Sequence, residues 1–155
     1  MHKTEFPALN LPAYPIKLQF AEEHPRVFDP VRKKWIALTP EEWVRQHFIQ
    51  YLIHDLNYPL SLMAVEMGFK LNRLTKRGDI VVYNRKAQPV LIVECKAPDV
   101  AVNQKVVDQI VRYNMELKVK FLIITNGMKH FGCYVDYENQ SFRFLKSLPQ
   151  FEQLQ

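Results

Sequence analysis

Cysteine is scarce in this chain of 155 residues: Cys95 and Cys133 are the only two. Two thiols cannot build a disulfide framework, and without a Cys-x-x-Cys pair the usual zinc spacing is missing as well. Long apolar runs are also lacking. No stretch approaches the roughly 18 apolar residues of a membrane span, and the opening MHKTEFPALN has no apolar core of signal-peptide length. No membrane association is expected, and cytoplasm is the default expectation. A G-x-x-x-x-G-K-[S/T] loop is absent too, so the chain carries no phosphate-cradling loop of a motor. There is no internal repeat and no low-complexity segment.

What remains is an ordinary globular composition, 48% hydrophobic and 24% charged, in a length suited to one domain with a sizeable core. The formal charge of +5 is unevenly placed. Residues 70–120 hold eleven Lys or Arg against five Asp or Glu, a net of +6, while the rest holds ten against eleven, a net of −1. A basic surface there would suit a polyanion such as nucleic acid, although on charge alone a solvated surface is the favoured reading.

Six of the ten prolines lie in the first 40 residues, so residues 1–15 read as an extended arm, packed on the body or frayed. RVFDPVRKKWIAL reads as a hairpin turning at Asp29-Pro30. Residues 1–38 thus form an arm and hairpin, and residues 39–155 the main body of a single domain. The body opens on a helix in TPEEWVRQHFIQYLIHDLNYP. Thr39 is its N-cap, Pro40 its first residue and Glu42 the reciprocal member of a capping box. Val44, Phe48, Tyr51, Leu52 and Leu56 give it one apolar face, and Asn57 and Pro59 end it. A short helical turn and a strand near Val65–Leu71 follow, then LNRLTKRG as a basic turn. Strands are expected at Asp79–Asn84 and Val90–Cys95 with NRKAQP as their hairpin loop. VNQKVVDQIVRYNMEL reads as a second helix with Val106, Ile110, Tyr113 and Leu117 on one face. KFLIITNG is a third buried strand, and HFGCYVDY and SFRFLK close the chain as a hairpin over Glu138-Asn139. The expected fold is α/β, a mixed central β-sheet flanked by helices.

One stretch does not fit a purely structural role. Val90 to Val93 is apolar on both faces, as in a covered central strand, yet it ends in Glu94-Cys95-Lys96. Alternation puts Glu94 and Lys96 on one face and Cys95 on the other. If the two strands pair antiparallel, Asp79 comes within metal-bridging distance of Glu94. Two such carboxylates repel, and a hard divalent cation relieves the repulsion. A neighbouring lysine can orient or deprotonate the attacking water and stabilise phosphate charge. The chemistry implied is metal-assisted phosphodiester hydrolysis. Taken alone, the E-x-K triplet is more often a surface ion pair; the apolar lead-in and Asp79 tip the reading toward chemistry.

RGDIVVY followed by PVLIVECKAP resembles the PD-(D/E)XK nuclease superfamily, with Gly78 where the superfamily's name has Pro. The longer pattern RGDIVVY…PVLIVECKAP…Q…Y…FLIITNG, from about Glu41 to Phe144, is similar to the N-terminal nuclease domain of type I restriction enzyme R subunits. The resemblance implies a restriction-endonuclease-like fold and an endonuclease that uses Mg²⁺, with Mn²⁺ as a substitute. It implies Asp79, Glu94, Lys96 and Gln109 as catalytic residues, with Asp79 and Glu94 as metal ligands, and it points to Gln109-x-x-x-Tyr113 on one face of the second helix. An acidic residue on the first helix or nearby could reach the metal through water; Glu42 and Glu66 are both candidates, and the capping box already accounts for Glu42. The backbone carbonyl of Cys95 could be a third metal ligand. Lys76, Arg77, Arg85 and Lys86 are candidate phosphate contacts. His47, His54 and His130 lack metal-ligand spacing and read as structural or surface residues.

The partners implied are DNA and a separate translocase or specificity subunit. A homodimer is a further expectation, drawn only from double-strand cleavage needing two active sites. The chain is either a stand-alone relative or a piece of a larger one. A second reading, from a different class, is a nucleic-acid-binding or assembly module that keeps the fold and cuts poorly. The acidic cluster inside a basic surface speaks against it.

Overall fold

The computed structural model describes the backbone of residues 6–21, 24–71 and 74–154, and the side chains of residues 6–20, 24–65 and 80–154. Two sheets and two helices make up the described residues. A three-stranded antiparallel sheet, β1 (Leu18–Ala21), β2 (His24–Asp29) and β3 (Lys34–Ala37), precedes helix α1 (Pro40–His54). The expected hairpin is therefore present with an extra strand beside it, because Leu18 pairs with Val27 and Phe20 with Pro25. That pairing is tertiary, and LQFA is too short to announce itself.

The main sheet has six strands in sequence order: β4 (Met63–Leu71), β5 (Leu74–Tyr83), β6 (Pro89–Cys95), β7 (Phe121–Thr125), β8 (His130–Asp136) and β9 (Ser141–Phe144). All neighbours are antiparallel except β6 and β7. A parallel pair needs a crossover, and α2 (Gln104–Met115) provides it. The expected order of helix, three strands, helix, strand and hairpin is the observed one, and the mixed sheet flanked by helices is as expected.

Strand alternation explains how the layers form. Ile80, Val82, Leu91, Val93 and Cys95 join Val44, Phe48, Ile49 and Leu52 of α1 in one core. Val81 and Ile92, from the same strands, join Val107, Ile110 and Val111 of α2 in the other. The central strands are thus covered on both faces, which is why they read as continuous apolar runs. The apolar face of α2 is turned from the expected one. Val107, Ile110, Val111 and Asn114 are its buried residues, while Val106 and Tyr113 are only half-buried.

Two local expectations are corrected. The expected turn LNRLTKRG is mostly strand: residues 72–73 lie outside the described residues, but β5 begins at Leu74, Leu71 pairs with Leu74 and Phe69 with Lys76, so Lys76 and Arg77 lie on a strand. Charged residues are tolerated there because β4 is an edge strand, and β5 is paired with β6 only from Ile80 onward. For the same reason Asp79 lies well inside β5 and not at its start. The described part of the N-terminal arm, from Phe6 on, is packed on the body. Asn10 N–H donates to the Gly127 carbonyl at 2.8 Å, and the Trp43 indole N–H donates to the Pro7 carbonyl at 2.9 Å. At the other end of the chain, Phe151 and Leu154 are buried in the α1-side core. The Phe151 N–H reaches the Leu56 carbonyl, and the Tyr58 hydroxyl donates to that of Pro149.

Candidate active site

The parallel pair β6–β7 has one end where both strands finish, and Glu94, Cys95 and Thr125 stand there. Glu94 lies opposite Ile124 and Cys95 opposite Thr125. The Lys96 N–H extends the ladder by donating to the Thr125 carbonyl at 2.8 Å. Lys96 is therefore held by backbone one residue beyond the strand. Its Nζ is 3.9 Å from Glu94 Oε1, with the Glu94 side chain 12% exposed and that of Lys96 35%. Cys95 sits in the α1-side core and Glu94 follows the parity of Ile92 on the α2 side, so the expected alternation holds. Ends of parallel strands are where open α/β sheets bind ligands.

Asp79 and Glu66 are reached through backbone register only; their side chains, like those of Lys76 and Arg77, lie outside the described residues. Ile80 pairs with Val93, so Asp79 and Glu94 are the next residues beyond that pair on their strands. Glu66 pairs with Asp79. Three acidic positions from three adjacent strands thus fall in one row of the sheet. Among the described residues no group of three His, Cys, Asp or Glu side chains is gathered for a metal. The donor set of that row is carboxylate oxygen, which suits a hard cation such as Mg²⁺ or Mn²⁺.

Gln109 is exposed and Tyr113 half-buried, one turn apart on α2. Arg85 and Lys86 are exposed in the loop between β5 and β6, at the other end of the hairpin from Asp79 and Glu94. Asp79 and Asn84 are five residues apart, roughly 17 Å at about 3.3 Å per residue.

Glu42 has a different occupation from the one its spacing suggests. Half of the capping box forms, the Glu42 N–H donating to Thr39 Oγ1 at 3.1 Å. Its carboxylate turns instead into a buried network. Arg45 Nη1 lies 2.5 Å and Arg32 Nη2 3.0 Å from Oε1, and Gln46 Nε2 donates to Oε2 at 2.9 Å. Arg32 Nε also donates to the fully buried Asp29, whose other oxygen accepts the Val31 and Arg32 N–H groups. This network joins the β2–β3 turn to α1 across the core face away from Glu94's parity. Sequence spacing could not show it, because Asp29, Arg32 and Glu42 come from separate elements.

The same strand ends carry a polar chain that sequence reading missed. Thr125 Oγ1 meets His130 Nδ1 at 2.7 Å and accepts the Gly127 N–H at 2.9 Å. His130 Nε2 lies 2.8 Å from the Asn10 carbonyl, which can only accept, so Nε2 carries the proton and Nδ1 accepts from the Thr125 hydroxyl. Burial holds His130 below the ordinary histidine range, with the Asn10 bond opposing it more weakly. Asn126 donates to the Val100 carbonyl at 2.8 Å, tying the loop after Lys96 to the β7–β8 turn. The one sequence hint was Asn126-Gly127, a turn signal.

A mixed sheet covered on both faces, with a carboxylate–lysine pair where a central strand ends, defines a restriction-endonuclease-like α/β protein. The family described as the type I restriction enzyme R protein N terminus matches residues 40–149. The chain belongs to that family. No curated protein and no solved structure is similar enough to count as a match.

Proposed function

We propose that the chain is a divalent-metal-dependent endonuclease hydrolysing DNA phosphodiester bonds. The observation that carries this is Glu94 and Lys96, 3.9 Å apart at the end of β6, within a chain of the restriction R-protein family. Asp79 and Glu94 would hold the metal, with the Cys95 carbonyl as a third ligand and Glu66 next in the row. Bound there, Mg²⁺ or Mn²⁺ would polarise the phosphate and acidify water. Lys96 would orient the attacking water and stabilise charge developing on the phosphate. Gln109 would face the phosphate, with Tyr113 behind it. Lys76 and Arg77, close before Asp79 on β5, are the nearest candidates for phosphate contacts; Arg85 and Lys86 would reach phosphates about five base-pair steps away, at about 3.4 Å per step. The partners of this reading are DNA and, more specifically than the family indicates, a separate translocase or specificity subunit. Such a role on DNA would put the protein in the cytoplasm.

The test is cleavage of plasmid DNA in Mg²⁺ and Mn²⁺ by the wild type and by Asp79→Ala and Glu94→Ala. Loss of cleavage in both, with the fold retained, is the expected result. Full activity in either variant rejects the assignment. Binding without cleavage in the wild type, with either metal, would favour the assembly-module reading.

A further inference from the structure

A second site lies at the opposite end of the sheet. Where β5 ends and β6 and β7 begin, a cleft of about 650 Å³ is bounded by Arg85, Lys86, Lys118 and Lys120. Among the described residues no acidic one lines it. Among the described residues none of these four cations is ion-paired with a carboxylate. Two acids, Asp136 and Glu138, line a neighbouring depression that shares Lys120 and Tyr137. Asp136 is already engaged by the Asn139 backbone and side-chain N–H groups.

The cations are presented from stiff supports. Asn84 Oδ1 accepts the N–H groups of Lys86 and Gln88, and Asn84 N–H donates to the Gln88 carbonyl, closing the loop that carries Arg85 and Lys86. The Arg85 guanidinium sits 5.8 Å over the ring of the buried Phe151. Lys120 is pinned through its carbonyl, which accepts the Val135 N–H at 2.7 Å. The remaining wall is Pro89, Val90, Tyr137 and Leu154.

Four like charges around one concavity repel each other, and closely spaced anions relieve that repulsion. Guanidinium and ammonium groups together match phosphate oxygens. The volume is within the roughly 300–1,000 Å³ of small-molecule sites, and an apolar wall with a tyrosine suits a base. We propose that this cleft binds a nucleoside di- or triphosphate, its phosphates on the four cations and its base against Tyr137 and Leu154. No glycine-rich loop is involved; side chains alone would hold the phosphates. The site lies at the other end of the hairpin from the proposed cutting centre; it shares Arg85 and Lys86 with the proposed duplex contacts, and Lys118 and Lys120 belong to it alone.

The experiment is isothermal titration of the full chain with ATP, pyrophosphate, adenosine and a short DNA duplex at one ionic strength. ATP should bind more tightly than pyrophosphate, and adenosine should give no signal. Lys118→Glu combined with Lys120→Glu should weaken ATP binding roughly tenfold or more, the loss of about one charged contact. Glu94→Gln and Lys96→Ala should leave ATP binding unchanged. If the double Glu variant does not fold, as judged by its thermal unfolding, Arg85→Ala with Lys86→Ala takes its place. No heat with ATP, or ATP binding that survives the folded variant, overturns the proposal. So does a duplex that displaces ATP and loses as much affinity in that variant, which would make the cleft part of a nucleic-acid track.

Discussion

Glu94 and Lys96 lie 3.9 Å apart, and each should fail in its own way. Glu94→Gln removes a negative metal donor, so both cleavage and any rise in melting temperature on adding Mg²⁺ or Mn²⁺ should disappear. Lys96→Ala should abolish cleavage and keep the metal-induced rise, because its work is in the transition state. Thermal unfolding with and without metal, beside cleavage rates, checks the split. Glu42 makes the contrasting case of a carboxylate engaged in holding the molecule together. Its removal would leave Arg45 with only Glu41, Arg32 with only Asp29 and Gln46 without its acceptor, a loss toward the lower end of the about 3–5 kcal/mol for a broken buried pair. Glu42→Ala should therefore lower the denaturant midpoint strongly, whereas Glu41→Ala should barely move it, since that side chain is 46% exposed. His130 adds a pH dependence. Its folded-state affinity for a proton is lowered by burial, so near its unfolded pKa of about 6.5 the unfolded chain binds more protons. The stability this contributes is complete above that pH and is lost as pH falls toward the folded value. His47 is shifted in the same direction by burial. Replacing His130 with Gln should flatten the fall in melting temperature across mildly acidic pH, read as the difference from wild type.

At the scale of elements, the β7–β8 turn is a junction. Gly127 has φ +86°, and a Cβ there would meet Leu9 Cδ2 at 2.7 Å and Val44 Cγ2 at 3.2 Å. The turn therefore needs both the left-handed backbone freedom and the bare α-carbon of glycine. Its carbonyl also accepts the Asn10 N–H that docks the arm. Gly127→Ala should cost about 1–2 kcal/mol for the left-handed backbone alone, plus the displacement of Leu9. Adding Leu9→Ala should recover the clash component and not the backbone component. Urea unfolding of the two variants measures the difference. Hydrogen exchange at the Asn10 amide should rise in Gly127→Ala as the arm loosens.

For the whole molecule, the sheet has two chemically different ends. One has Glu94 and Lys96 where β6 and β7 finish, with the backbone positions of Asp79 and Glu66 in the same row; the other gathers four cations where they begin. Of the eleven cations in residues 70–120, four therefore stand at one end of the sheet and Lys96 at the other. If Lys76 and Arg77 each neutralise a phosphate, replacing both with Ala should make the slope of log affinity against log salt shallower by roughly two units, at about 0.9 per phosphate. All DNA sequences should weaken alike. A slope that does not change would make these strand residues a solvated edge only. Divalent metal should stabilise the wild type by about 2.7 kcal/mol at a hundred times its dissociation constant, and the Asp79→Ala, Glu94→Ala double variant far less.

Sequence alone determined the parts of this protein that rest on local chemistry and periodicity. The capped start of α1, the covered strands β5 to β7, the crossover helix and the order of elements are all written in N-cap residues, apolar runs and turn signals. The E-C-K ending of β6 and the Asp79 spacing were legible for the same reason, since two-residue alternation places Glu94 and Lys96 on one face. What only the tertiary structure decided depends on residues distant in the chain. Strand β1 exists because β2 is beside it. The Glu42 carboxylate belongs to Arg32, Arg45 and Gln46 because the β2–β3 turn packs on α1, and no spacing rule sees that turn. Lys76 and Arg77 are strand residues because β4 pairs through them, against their appearance as a basic turn. The four-cation cleft joins the β5–β6 loop to the segment after α2 and to Tyr137 beyond β8. Such a cluster arises from how the strands are ordered in the sheet, which local pattern does not encode.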